Sequence, residues 1–175
     1  MVQILEILKY VIPALIVLAS CWLILRSLLR TEKIKQDSLL AVETHKYMLP
    51  LRLQAYERFT LLLERITPES LLMRHSDVST SARALHTALL AAIRAEYEHN
   101  MSQQIYVDAK VWDAVVLART QITQIINLSA DGLDASATSF DLSRKIFEHC
   151  ATHSKLPTQT ALEVIRNVVG DEFRG

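Results

Sequence analysis

Sixteen consecutive residues, Tyr10 to Leu25 (YVIPALIVLASCWLIL), carry no charge. As a helix rising about 1.5 Å per residue the run covers roughly 24 Å, short of a hydrocarbon core about 30 Å thick. Extension back to Ile4 adds Leu5, Ile7 and Leu8, and Glu6 and Lys9 then fall on one face, where they can pair or reach the headgroups. Residues 4–25 are therefore expected to contact membrane lipid as one spanning helix, with Pro13 near one end, where neighbouring groups compensate a kink. A competing pattern lies inside it. Leu18-Ala19-Ser20-Cys21 fits the lipobox of a bacterial lipoprotein precursor. Cleavage there would leave Cys21 followed by Trp22-Leu23-Ile24-Leu25, with Leu28 and Leu29 close behind, instead of a polar tether. An uncleaved anchor is the expectation.

The flanks predict an orientation. Tyr10 and Trp22 are candidate interfacial aromatics, and Arg26, Arg30, Lys33 and Lys35 crowd the C-terminal side, against Lys9 alone before the span. Basic residues near span ends stay in the cytoplasm, so the N-terminus is expected outside and the rest inside. Cys21 and Cys150 cannot form an internal disulfide framework, which suits a reducing compartment.

Beyond the anchor the chain has little turn chemistry: the only glycines are 132, 170 and 175, and the only prolines beyond Pro13 are 50, 68 and 157. An all-α fold follows: an N-terminal transmembrane helix continuing into a juxtamembrane helix, then a compact bundle of about five helices. The expected domains are an anchor over 1–30, a weakly amphipathic juxtamembrane helix over 31–49 and a helical domain over 50–175. Pro50 should interrupt the helix, because it disfavours helical geometry at residue 49. Apolar stripes then predict helices: Tyr56, Phe59, Leu63 and Ile66; Leu85, Leu89, Ile93 and Tyr97; Val111, Val115, Ala118, Ile122 and Ile125. Thr67-Pro68 opens a short helix to Met73, Asp77 or Ser79 starts the next, and Asp108 caps a third that closes at Asp131-Gly132. Residues 99–106 are a connection. Phe140, Ile146, Phe147 and Cys150 predict a helix over about 138–153, and Leu162, Ile165, Val169 and Phe173 the last, entered through Leu156-Pro157-Thr158.

Charge and motifs exclude several function classes. Without residues 1–30 the chain keeps sixteen basic and eighteen acidic side chains, lacking the basic excess of a nucleic-acid binder. There is no glycine-rich phosphate loop and no nucleophile elbow, and no cofactor is expected. His149-Cys150-x-x-His153 is the most metal-like cluster, yet Cys150 points about 100° away from His149 and no second ligand pair has suitable spacing. A core cysteine with two surface histidines is the simpler expectation. Glu96-x-x-His99 has no second copy to complete a di-iron set.

Two polar segments remain. Arg52, Gln54, Tyr56 and Arg58 lie in one, and Glu98, His99, Asn100, Gln103, Gln104 and Tyr106 in the other. Such Arg, Tyr and Gln density fits a docking surface or a buried polar network, or simply packing pairs of Arg52 and Arg58 with Glu96 and Glu98. The same segments carry a resemblance. LPLRLQAYERFTLLLERITPESLLMR (49–74) and EYEHNMSQQIYVDAKVW (96–112) resemble an uncharacterised Bacteroidota family of small proteins with one membrane helix and a helical domain. The resemblance implies a bacterial inner-membrane location and brings no activity to any residue. The expected function is a non-enzymatic, membrane-anchored accessory or scaffold subunit docking onto an inner-membrane complex. The alternatives are a self-assembling scaffold, with Ala14, Ala19 and Ser20 permitting close helix approach, and a tethered enzyme or metal protein.

Overall fold

In the computed structural model, residues 2–75 and 81–172 are described; the side chains of 2–17, 19, 30, 31 and 33–45 are not. Six α-helices run in order: α1 (Val2–Arg65), α2 (Pro68–His75), α3 (Ala82–Asn100), α4 (Ala109–Ala130), α5 (Ser139–Ala151) and α6 (Pro157–Glu172). A short 3₁₀ helix, Met101–Tyr106, joins α3 to α4. No strand occurs among the described residues, only an isolated bridge between Ser81 and Thr138. The chain divides into two compact units, Met1–Leu49 and Pro50–Gly175.

In the first unit every described side chain from Ser20 to Leu29 is exposed. Trp22 carries the Arg26 guanidinium 5.0 Å from its ring centroid. Among the described residues no helix is long and apolar enough to cross a membrane. Most side chains of the expected span, including Glu6, Lys9, Tyr10, Ala14 and Ala19, lie outside the described residues, as do those of Arg30, Lys33 and Lys35.

Pro50 does not interrupt α1, contrary to the sequence expectation. Proline removes one backbone donor and leaves the Lys46 carbonyl without its intrahelical partner. Lys46, Tyr47, Met48 and Pro50 are exposed, so water can take that bond.

In the second unit, α4 packs against α3, α5 and, most extensively, α6. Its stripe of Val111, Val115, Ala118, Ile122 and Ile125 is buried as the spacing predicts, with Ile126 and Ser129 added. Tyr56, Phe59, Leu62, Leu63 and Ile66 meet it from α1 and its end, and Leu85, Leu89 and Ile93 from α3. Trp112 lies against Phe59, with ring centroids 5.7 Å apart, and stacks on Tyr97 at 5.5 Å.

Two expectations fail here. On α5 the buried residues are Ser139, Leu142 and Ile146, whereas Phe140 and Phe147 are 64% and 50% exposed. Each phenylalanine sits one residue, about 100°, from the buried stripe. The helix opens on a capping box, in which the Thr138 side chain takes the Asp141 N–H and the Asp141 carboxylate takes the Thr138 N–H. That pair fixes where the helix begins. The start of α3 also moves: Ser81 caps it by accepting from the Ala84 N–H, while Asp77 and Ser79 lie outside the described residues. On α6 the stripe is Ala161, Leu162 and Ile165, Val169 is half-buried, and Phe173 lies outside the described residues. The closing Gly132 has no positive φ, so α4 ends without a left-handed cap.

Candidate functional site

The two polar segments come together in space. Arg52, on α1, reaches Asp108 at 3.2 Å, Glu172 at 2.7 Å and the Tyr56 hydroxyl at 3.1 Å. One guanidinium thereby ties α1 to the start of α4 and the end of α6. Asp108 occupies the N-cap position of α4 but makes no side-chain cap bond; its carboxylate is directed to Arg52 instead. Burial tends to lower the Arg52 pKa, but the Tyr56 hydroxyl and the Glu172 and Asp108 carboxylates outweigh it and hold the group above its ordinary value. Tyr56 is pushed up mainly by burial, with Arg52 pulling the other way. The Glu172 carboxylate is only 12% exposed and meets Arg52 at ion-pair distance. Neither of its oxygens has a hydrogen-bond partner among the described residues, so the contact to Arg52 is chiefly Coulombic.

The expected pairs of Arg52 and Arg58 with Glu96 and Glu98 do not form. Glu96 pairs with Arg65 at 3.1 Å and with Arg74 at 3.7 Å, binding α3 to the end of α1 and to α2. Arg58 donates to His99 Nε2 at the long distance of 3.5 Å, with both residues exposed. The reason is geometric: positions 52 and 58 face different neighbours, and position 65, two turns beyond 58, is the one level with Glu96. Asn100 is buried and donates to the Glu96 carbonyl at 2.8 Å, closing α3. Gln54, Glu98 and Gln104 are exposed, and Gln103 and Tyr106 half-buried. Arg119, which sequence reasoning passed over, lies 4.2 Å from the Tyr97 centroid and completes a stack with Trp112. A four-residue step separates Trp112 from neither ring partner, so no local spacing reveals it.

His149 and His153 fall at the far end of α4. His149 is half-buried and contacts the wholly buried Ser129, His153 is exposed, and Cys150 is half-buried against the core. Burial raises the Cys150 pKa. Among the described residues no three His, Cys, Asp or Glu side chains gather as a metal set. Beside the two histidines a cavity of about 490 Å³ opens between α4 and α6.

A family of unknown function, DUF7935, matches residues 2–171, the apolar N-terminal run and the helical body alike. The chain belongs to that family. No curated protein and no solved structure matches the chain. DUF7935 membership agrees with the resemblance to an uncharacterised family and assigns no activity. In this DUF7935 chain the polar cluster around Arg52 is the most connected candidate site. Its geometry is that of a clamp across three helices.

Proposed function

We propose that the chain is a membrane-anchored, non-enzymatic accessory or scaffold subunit whose helical body binds a membrane-protein complex. The observation that carries the proposal is the exposure of Leu18, Trp22, Leu23, Ile24, Leu25, Leu28 and Leu29, each 58–69% open on α1. So much contiguous apolar surface is unfavourable in water and favourable in lipid. Together with the charge-free run before it, it supports a single span with Arg26 at the interface and the body on the cytoplasmic side of a bacterial inner membrane.

A docking role is supported by a second surface. Met73, Phe140 and Phe147, exposed by 80%, 64% and 50%, surround a depression of about 280 Å³ between α2 and α5. Aromatic and methionine side chains of this kind are enriched at protein interfaces. Several charged groups of the body, by contrast, serve its own packing: Arg52 with Glu172, Glu96 with Arg65, and Asp141 with Thr138.

The test is alkaline extraction of native membranes, followed by crosslinking and affinity capture of the full-length chain. Retention in the membrane with a stoichiometric membrane protein is expected, and Phe140→Ser with Phe147→Ser should abolish capture. Release by alkali would refute the anchor. Recovery of the chain with itself alone would replace the accessory subunit by a self-assembling scaffold.

A further inference from the structure

Given the proposed membrane anchor, on which the assignment rests, we infer that one face of α1 binds the headgroups of anionic phospholipids. That face runs from Trp22 through Arg26 and Arg30 to Lys33. At about 100° per residue the four positions fall within one sector of the helix about 80° wide. Lys35, the remaining basic residue of this stretch, lies on the opposite side, three residues after Glu32. Three basic residues between 26 and 33 thus share a sector that holds no acidic residue before Asp37. The orientation rule counts basic residues near a span and is indifferent to the face they occupy. A surface that binds anions is not.

The Arg26 guanidinium lies over the Trp22 ring, 5.0 Å from its centroid. Among the described residues no carboxylate pairs with Arg26. A guanidinium held by a ring keeps N–H donors for a phosphate, which can accept two of them side by side. The occupant follows from what adjoins the stripe. Leu23, Ile24 and Leu25 are exposed in the turn before Arg26, so an anion bound there borders hydrocarbon once the anchor is in lipid. Positions 26 to 33 cover about 10 Å of rise, and a headgroup layer is roughly 5–7 Å thick. Lipid phosphate is the anion found at that depth. A headgroup with net negative charge offers it without the choline or ammonium group that would repel the three cations.

The test reconstitutes the full-length chain in vesicles of phosphatidylcholine and phosphatidylglycerol. One lipid at a time carries brominated acyl chains, which quench a neighbouring tryptophan. Trp22 is read as the difference between the parent chain and Trp22→Phe, which removes the Trp112 contribution. A cation near an anionic bilayer surface contributes about 1 kcal/mol, so phosphatidylglycerol should be preferred about fivefold. Salt at about 1 M should reduce that preference by screening. Arg30→Leu with Leu28→Arg keeps composition and net charge but moves one cation to the Glu32 side, and should lower the preference by about half. Lys35→Gln, on the far side, should leave it unchanged. Equal quenching by the two lipids, indifference to the Arg30–Leu28 exchange, or an equal loss in Lys35→Gln would each overturn the inference and leave the anchor standing. No quenching by either lipid would overturn the anchor, and the inference with it.

Discussion

Replacing Arg52 by methionine separates a clamp from a docking contact. The substitution keeps most of the aliphatic stem and removes the charge that faces Glu172 at 2.7 Å, Asp108 at 3.2 Å and Tyr56 at 3.1 Å. The Asp108 contact contributes little, because that carboxylate is 59% exposed and solvent screens it. Glu172 decides the magnitude. Its carboxylate is 12% exposed and would be left buried with no cation beside it among the described residues. Orphaning one member of a buried pair costs about 3–5 kcal/mol, and the 28% exposure of Arg52 brings the expectation down to about 2 kcal/mol. With a urea dependence of about 2 kcal/mol per molar, the unfolding midpoint should fall by about 1 M. Trp112, between Phe59 and Tyr97, reports the transition by fluorescence in a Trp22→Phe background. Adding Glu172→Leu to Arg52→Met should recover most of the loss, because an apolar pair replaces a broken ionic one. An unshifted midpoint for Arg52→Met, or losses that add in the double variant, would refute the clamp. Lost partner capture with an unshifted midpoint would place Arg52 in an interface instead.

Other substitutions test the remaining contacts. Arg58→Ala should change stability by less than about 0.5 kcal/mol in the same urea titration, since its contact to His99 is long and exposed. Trp112→Ala should cost about 3 kcal/mol and broaden the Tyr97 and Phe59 ring resonances in NMR spectra of the chain. Thr138→Ala should cost about 1 kcal/mol by removing the α5 cap. The bonds from the Thr138 side chain and backbone hold the Asp141 pKa below its ordinary value. That contribution is present above the unfolded-state carboxylate pKa and is lost as pH falls through the lower folded value. Acid titration of stability should therefore be shallower below about pH 4 in Asp141→Asn than in the parent chain.

Helix positions were largely legible because each depends on local periodicity. The stripe Val111, Val115, Ala118, Ile122 and Ile125 needs only a 3.6-residue repeat, and it is buried along its whole length. The failures occur where hydrophobicity alone was followed. Phe140 and Phe147 are the bulkiest apolar residues of α5, yet Leu142 and Ile146 make its core, because the face that packs on α3 and α4 is chosen by tertiary contacts and not by side-chain size. A Thr-x-x-Asp spacing was available in the sequence to mark the start of that helix, but not its buried face. Pro50 failed for a different reason: the cost of proline inside a helix depends on whether water reaches the freed carbonyl, and exposure is a property of the fold.

The polar cluster was legible in its members but not in its pairings, and the difference is one of range. Arg52 and Tyr56 are one helical turn apart, so their contact follows from the sequence. Asp108 is 56 residues further along, and Glu172 lies at the other end of the domain; nothing local joins either to Arg52. Asp108 illustrates the competition. Its position before α4 correctly marks a helix start, and its side chain would cap an isolated helix by accepting from the first turn. In the folded chain a guanidinium lies within reach, and a charged hydrogen bond is stronger than a bond to a neutral N–H. The cap is given up for the tertiary contact. Arg52→Met therefore frees the Asp108 carboxylate to turn back onto the α4 N-terminus, which recovers part of the local stability and makes removal of Glu172's partner, not Asp108's, the dominant loss.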